Sequence, residues 1–99
     1  MLIINVKYTC KSGSRDAFLN AIKENKVGEL SRAEKGNVKY EYSCSVLDEN
    51  VVILNELWES PDFIPAHRDT EHFKKLTAFK DEFVEKAEIT RFLGEPFSY

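Results

Sequence analysis

The chain is poor in the residues that usually announce chemistry: its 99 residues include two cysteines, two histidines, one tryptophan and one methionine. Cys10 and Cys44 fall on separate predicted strands, so no disulfide framework is expected, and both read as small, free, buried thiols. There is no H-E-x-x-H or C-x-x-C, and His67 and His72 are not at the four-residue spacing of a helical zinc motif, so no metal is expected. No apolar run approaches the roughly 20 residues that span a bilayer, and the opening MLIINVKYT lacks a basic leader and a cleavage site. These absences read as a cytoplasmic protein with no membrane partner. Positive charge is also short: the net charge is −3 and the pI about 5.4, which argues against a nucleic-acid partner.

What is present is a single globular domain over residues 1–99, since this length supports one core, and 42% hydrophobic with 31% charged residues is an ordinary soluble composition. Leu2 to Cys10 alternates like a strand. After the turn KSGS, with Ser14 as a candidate cap, Phe18, Ala21, Ile22 and Leu30 recur at helical spacing, which predicts one helix from Arg15 to about Glu34, weakened at Gly28 and ended by Gly36. Val38 to Val46 alternates again, Asp48-Glu49-Asn50 makes a hairpin turn, and VVILNELW is a nearly continuous apolar strand of the kind found at sheet centres.

Ser60 and Pro61 then open a helix that Pro65 and Arg68-Asp69-Thr70 interrupt; Thr70 caps a new helix burying Phe73, Leu76, Phe83, Val84 and Ala87. Ala87 to Leu93 predicts a last strand, and residues 94–99 a tail. The order β-α-β-β-α-β predicts a ferredoxin-like α+β fold, a four-stranded antiparallel sheet with both helices on one face. Its other face would stay apolar and uncovered, which predicts a homodimer joined through the sheets.

The rare residues concentrate in ELWESPDFIPAHRDTEHF, residues 56–73. Glu56 is a carboxylate in an apolar strand and must be paired, hydrogen-bonded or protonated. It either ion-pairs with Arg68 or Arg91, or serves as a pocket carboxylate with a raised pKa. Trp58 shares its strand face, as core filler or as a flat wall for a ring, while Asn55 points the other way. His67 and His72 are either backbone-bonded surface groups or bases near neutral pH.

The run E-L-W-E-S, six residues, then H-R-D-T-E-H resembles the signature of the antibiotic biosynthesis monooxygenase family and its quinol monooxygenase members, through Glu56, Trp58, Glu59, Ser60, Ala66, His67, Thr70 and His72. Many relatives carry Pro where this chain has Glu71. The resemblance implies a dimeric α+β barrel and a cofactor-independent monooxygenase that oxidises a quinol-like or polyphenolic small molecule with O2. Haem-degrading relatives ligate iron through a histidine on the second helix; Phe73 to Ala87 contains none, which argues against haem. The implied site has His67 or His72 as the base, Trp58 as ring platform, Glu56 and Asn55 as nearby polar groups, and Phe63 and Phe73 at the mouth. Two other readings stay open: an isomerase of a small phosphorylated ketose, using Arg68, Lys74 and Lys75 for phosphate, and a non-catalytic dimeric binding or stress module.

Overall fold

The computed structural model describes residues 1–98; of the expected tail, Tyr99 lies outside them. Four strands, β1 (Leu2–Cys10), β2 (Asn37–Cys44), β3 (Val51–Trp58) and β4 (Val84–Leu93), form one sheet in the order β2-β3-β1-β4. Each neighbouring pair is antiparallel. Helices α1 (Arg15–Glu24) and α2 (Val27–Arg32) connect β1 to β2, while a 3₁₀ turn (Pro61–Phe63), α3 (Ile64–Arg68) and α4 (Glu71–Phe83) connect β3 to β4. This is the ferredoxin-like α+β arrangement that the element order implies.

Strand register decides which face is dry. Leu2, Ile4, Val6 and Tyr8 of β1 stand opposite Trp58, Glu56, Leu54 and Val52 of β3, and Tyr40 of β2 stands opposite Glu56. All of these are buried, together with Phe18 and Ile22 of α1, Val27 of α2 and Leu76 of α4. Burying one such side chain stabilises by roughly 1.5–3 kcal/mol, so this face is the core. The alternate residues Ile3, Asn5, Ile53, Asn55 and Leu57 form the other face, which no helix covers, and they are half-buried by their neighbours alone.

Several local expectations are corrected. The first helical stretch is two helices, broken at Lys26, whose φ of 53° is left-handed. Gly28 lies inside α2, fully buried with Val27 and Ser31, so the bend arises where α2 turns to pack on β2 rather than at the glycine. Leu30 is 45% exposed and is no part of the core. Strand β2 ends at Cys44, leaving Val46 98% exposed at the hairpin tip, and a register shift between Asn37 and Lys39 displaces Val38 outward. At the far end α4 stops at Phe83. Val84 and Ala87 therefore belong to β4, which starts three residues before the predicted strand. Cys10 is buried as expected, but Cys44 is exposed. None of the described helices is long and apolar enough to cross a membrane.

Candidate active site

Of the three predicted caps, Ser14 stands before α1 without a side-chain hydrogen bond, while Ser60 and Thr70 form theirs and position the histidines. The Ser60 hydroxyl accepts from the Asp62 backbone N–H, with Pro61 in the first turn. The Thr70 hydroxyl accepts from Phe73 N–H at 3.3 Å and donates to the His67 carbonyl at 2.7 Å. That one side chain starts α4 and ties it to α3, which fixes His67 at the end of one helix relative to His72 in the first turn of the next.

The two imidazoles converge on a residue that sequence reasoning missed. Glu34, in the turn after α2, places Oε2 2.7 Å from His67 Nδ1 and 2.8 Å from His72 Nε2. All three side chains are largely buried, at 13%, 4% and 10% exposure respectively. An ionised carboxylate can only accept, so each nitrogen facing it is the donor. His67 is thereby held with its proton on Nδ1 and its lone pair on Nε2, and His72 in the opposite tautomer. No local pattern marks Glu34; it is an ordinary helix-end glutamate until the turn at Gly36 folds back under α3.

A two-histidine, one-carboxylate set is also a donor set for a divalent metal, and the three ligand atoms lie within 4.8 Å of one another. Their nitrogen-to-oxygen separations of 2.7 and 2.8 Å are hydrogen-bond lengths. Ligands at about 2.0–2.2 Å from one ion would stand farther apart, so as placed the three groups share hydrogen bonds, and a bound ion would have to spread them.

Glu56 sits beside this cluster. Its Oε1 accepts from the Trp58 indole N–H at 3.0 Å, a bond between residues two apart on one strand face. Neither ion pair considered for it, with Arg68 or Arg91, forms. Burial pushes the Glu56 carboxyl above its ordinary value; the Trp58 bond, His67 whenever it carries a second proton, and the Arg91 charge act against that shift, and Glu34 adds to it. Trp58 is fully buried, with its ring 4.9 Å from that of His67. Tyr40 and Phe73 meet the same imidazole edge-on at 5.6 and 5.0 Å.

Between the sheet and the helices is a cavity of about 130 Å³, lined by Glu56, His67, Tyr8, Tyr40, Phe73 and aliphatic residues, and flanked by Arg68, Lys80 and Arg91. It opens toward β4, whose residues after Val84 are all exposed. Burial raises the phenols of Tyr8 and Tyr40 far above the range in which they ionise, so both stay neutral donors.

Of the predicted site residues, Glu56, His67 and Phe73 line this cavity. Trp58 and His72 stand behind it, hydrogen-bonded to Glu56 and Glu34. Phe63 packs over Gly36 instead. Asn55 faces a separate hollow on the uncovered sheet face, beside Ile3, Asn5 and Leu57. Tyr8 and Tyr40 could have been found by pairing the alternating strands around Glu56; Arg91 needed the register of β4.

A ferredoxin-like α+β sheet thus carries an acid, an imidazole and phenols around one cavity that opens toward β4. The chain belongs to the antibiotic biosynthesis monooxygenase family, whose model matches residues 1–79. It is 28% identical over 78 residues, 79% of this chain and 80% of the other, to the Bacillus subtilis (strain 168) protein named "Putative monooxygenase YcnE". Among solved structures, PA3566 from Pseudomonas aeruginosa superposes with a TM-score of 0.86 at 20% identity, covering 96% of this chain and 94% of that one. A Nitrosomonas europaea protein described as a "Putative antibiotic biosynthesis monooxygenase" gives 0.86 at 22% identity, with 95% and 98% covered. At those identities the structural likeness speaks for the fold.

Proposed function

We propose that the protein is a cofactor-independent monooxygenase acting on an electron-rich phenol or quinol with O2, with His67 as the base. The observation that carries this reading is the Glu34–His67 bond, which leaves the Nε2 lone pair of a cavity-lining imidazole as the free acceptor. His67 Nε2 takes the phenolic proton, and the resulting phenolate passes one electron to O2. Superoxide and the aryloxyl radical recombine as a ring peroxide anion, which takes the proton back from His67, and the resulting hydroperoxide loses water to leave a quinone. One oxygen atom enters the ring and the other leaves as water; the substrate supplies all four electrons. The aromatic and aliphatic wall holds the pair in place meanwhile. Glu34 and His72 act as positioning residues.

The mostly aliphatic and aromatic wall favours a ring over a phosphorylated ketose. Of the cations considered for phosphate, Lys74 and Lys75 are exposed on α4 and do not line the cavity, while Arg68 does. The uncovered sheet face, with Ile3, Ile53 and Leu57 half-buried and Phe92 55% exposed, supports a homodimer joined through the sheets.

The test is oxygen uptake by purified, metal-stripped protein given a panel of quinols. Uptake above autoxidation is expected, and His67→Ala should lower it by about 10²–10⁴-fold. His72→Ala should cost less, because His72 touches Glu34 and not the cavity. Uptake at the autoxidation rate, unchanged in His67→Ala, would rule the oxygenase out.

A further inference from the structure

We infer that the cavity selects single-ring phenols that carry an anionic substituent, a carboxylate being the simplest, seated on Arg91 with Lys80 and Arg68 at the rim. The inference rests on the proposed phenol chemistry for its ring and adds the ring's size and charge.

Size comes from the volume. A cavity of about 150 Å³ in a protein core takes one benzene, and this one measures about 130 Å³. Pockets for drug-sized, multi-ring ligands start near 300 Å³, so a fused polyphenol would overrun the enclosed part and project through the mouth at β4. A single six-membered ring fills it.

Charge comes from the lining. The chain as a whole is negative, at −3, yet the cavity gathers Arg68 from α3, Lys80 from α4 and Arg91 from β4 against one carboxylate, Glu56. None of these three cations makes an ion pair among the described residues. Elsewhere among the described residues Arg32, Lys39 and Lys86 pair with a glutamate and the other eight lysines and arginines do not, so what sets these three apart is their convergence on one cavity. The Glu56 carboxylate is already held by the Trp58 indole, so it does not serve as the partner of Arg91. Three unpaired cations from three elements around one apolar space suit an anion brought in by a ligand.

Register sets the orientation. Glu56 and Arg91 each pair with Ile4, from opposite sides, so they flank it on the same sheet face. Two strand spacings put their Cα atoms roughly 10 Å apart. With the side chains reaching inward, one ring lying over Ile4 directs its hydroxyl toward His67 and Glu56 and its carboxylate toward Arg91. The guanidinium fork suits a carboxylate's two oxygens.

Calorimetry needs no turnover. Titrating the protein at pH 7 with 4-hydroxybenzoate and with 4-hydroxybenzamide compares the same ring and phenol with and without charge. The acid should bind about tenfold or more tighter than the amide, consistent with charge-assisted bonds being about twice as strong as neutral ones. The difference should shrink in high salt, because the rim is open to solvent. Arg91→Gln should erase most of the preference by weakening the acid far more than the amide; Arg68→Gln and Lys80→Gln should each reduce the preference less. Equal affinities in the wild-type protein would overturn the inference without any variant. Failure of the acid to bind at millimolar concentration would do the same, as would a preference that survives in the Arg68→Gln/Lys80→Gln/Arg91→Gln triple variant. An acid preference with no oxygen uptake on any phenol sinks the oxygenase reading and keeps the anion seat. Oxygen uptake on neutral quinols with no acid preference does the reverse.

Discussion

Glu34 is the residue on which two buried imidazoles depend, because one oxygen accepts from both. Glu34→Ala leaves two ring N–H groups in the interior without an acceptor, and should cost about 2–4 kcal/mol in denaturant unfolding. Glu34→Gln retains an acceptor oxygen and should cost less. Glu56 gives a pH signature of the opposite kind. Its folded-state carboxyl holds its proton above the ordinary 4.5, so within that window the folded state binds more protons than the unfolded one. Stability therefore falls as pH rises from about 4.5 through the raised value, and the penalty persists above it. Glu56→Gln keeps an oxygen for the Trp58 indole and has no charge to bury, so thermal unfolding should show that slope lost and stability at pH 7 equal or higher. The sequence showed that Glu56 required a partner, because a carboxylate in VVILNELW cannot be solvated. It did not show that the partner is Trp58, two residues away, since a neutral indole competes with two arginines only once the strand has fixed its rotamer.

At the scale of elements, the turns carry the site. Gly36 has φ of +84°, and a Cβ there would overlap the Phe63 ring. Gly36→Ala should therefore destabilise by about 2–4 kcal/mol and disturb Glu34 beside it. Gly13, with a φ of +74° but open space around it, should lose only about 1–2 kcal/mol on the same change, the cost of a left-handed alanine. Equilibrium unfolding of the two variants separates steric from conformational cost. Lys26 is the converse case, a non-glycine at φ 53° between α1 and α2. Lys26→Gly should raise stability by about 0.5–1 kcal/mol. Caps and breaks of the second helical region were legible because Ser60-Pro61 and Thr70 act locally, through hydrogen bonds to the next two or three residues. The break of the first was not, since a lysine gives no local signal for the left-handed φ that Lys26 adopts where α2 begins to bury Val27 and Ser31.

For the whole molecule, the helices cover the sheet unevenly. They bury the β1–β3 centre and leave β4 open, which makes the cavity mouth, and they leave the face bearing Ile3, Ile53 and Leu57 to water or to a second copy. Under the proposed dimer, light scattering at micromolar concentration should give twice the 11.5 kDa chain mass. Ile53→Asp should return it to the monomer without altering the cavity on the opposite face; a monomeric wild-type mass would contradict the proposal.

Alternation with a period of two and helical spacing of apolar residues determined the element order, the central strand and the ferredoxin-like sheet, because those patterns are set by backbone geometry that each segment carries by itself. The E-L-W-E-S and H-R-D-T-E-H run located half of the site for the same local reason. The tertiary structure alone decided that Glu34 reaches both histidines, that His67 and not His72 meets the cavity, and that Arg91 faces Glu56 across Ile4. Each of those is a contact between residues tens of positions apart, fixed by strand register and helix docking, to which no single segment holds the information.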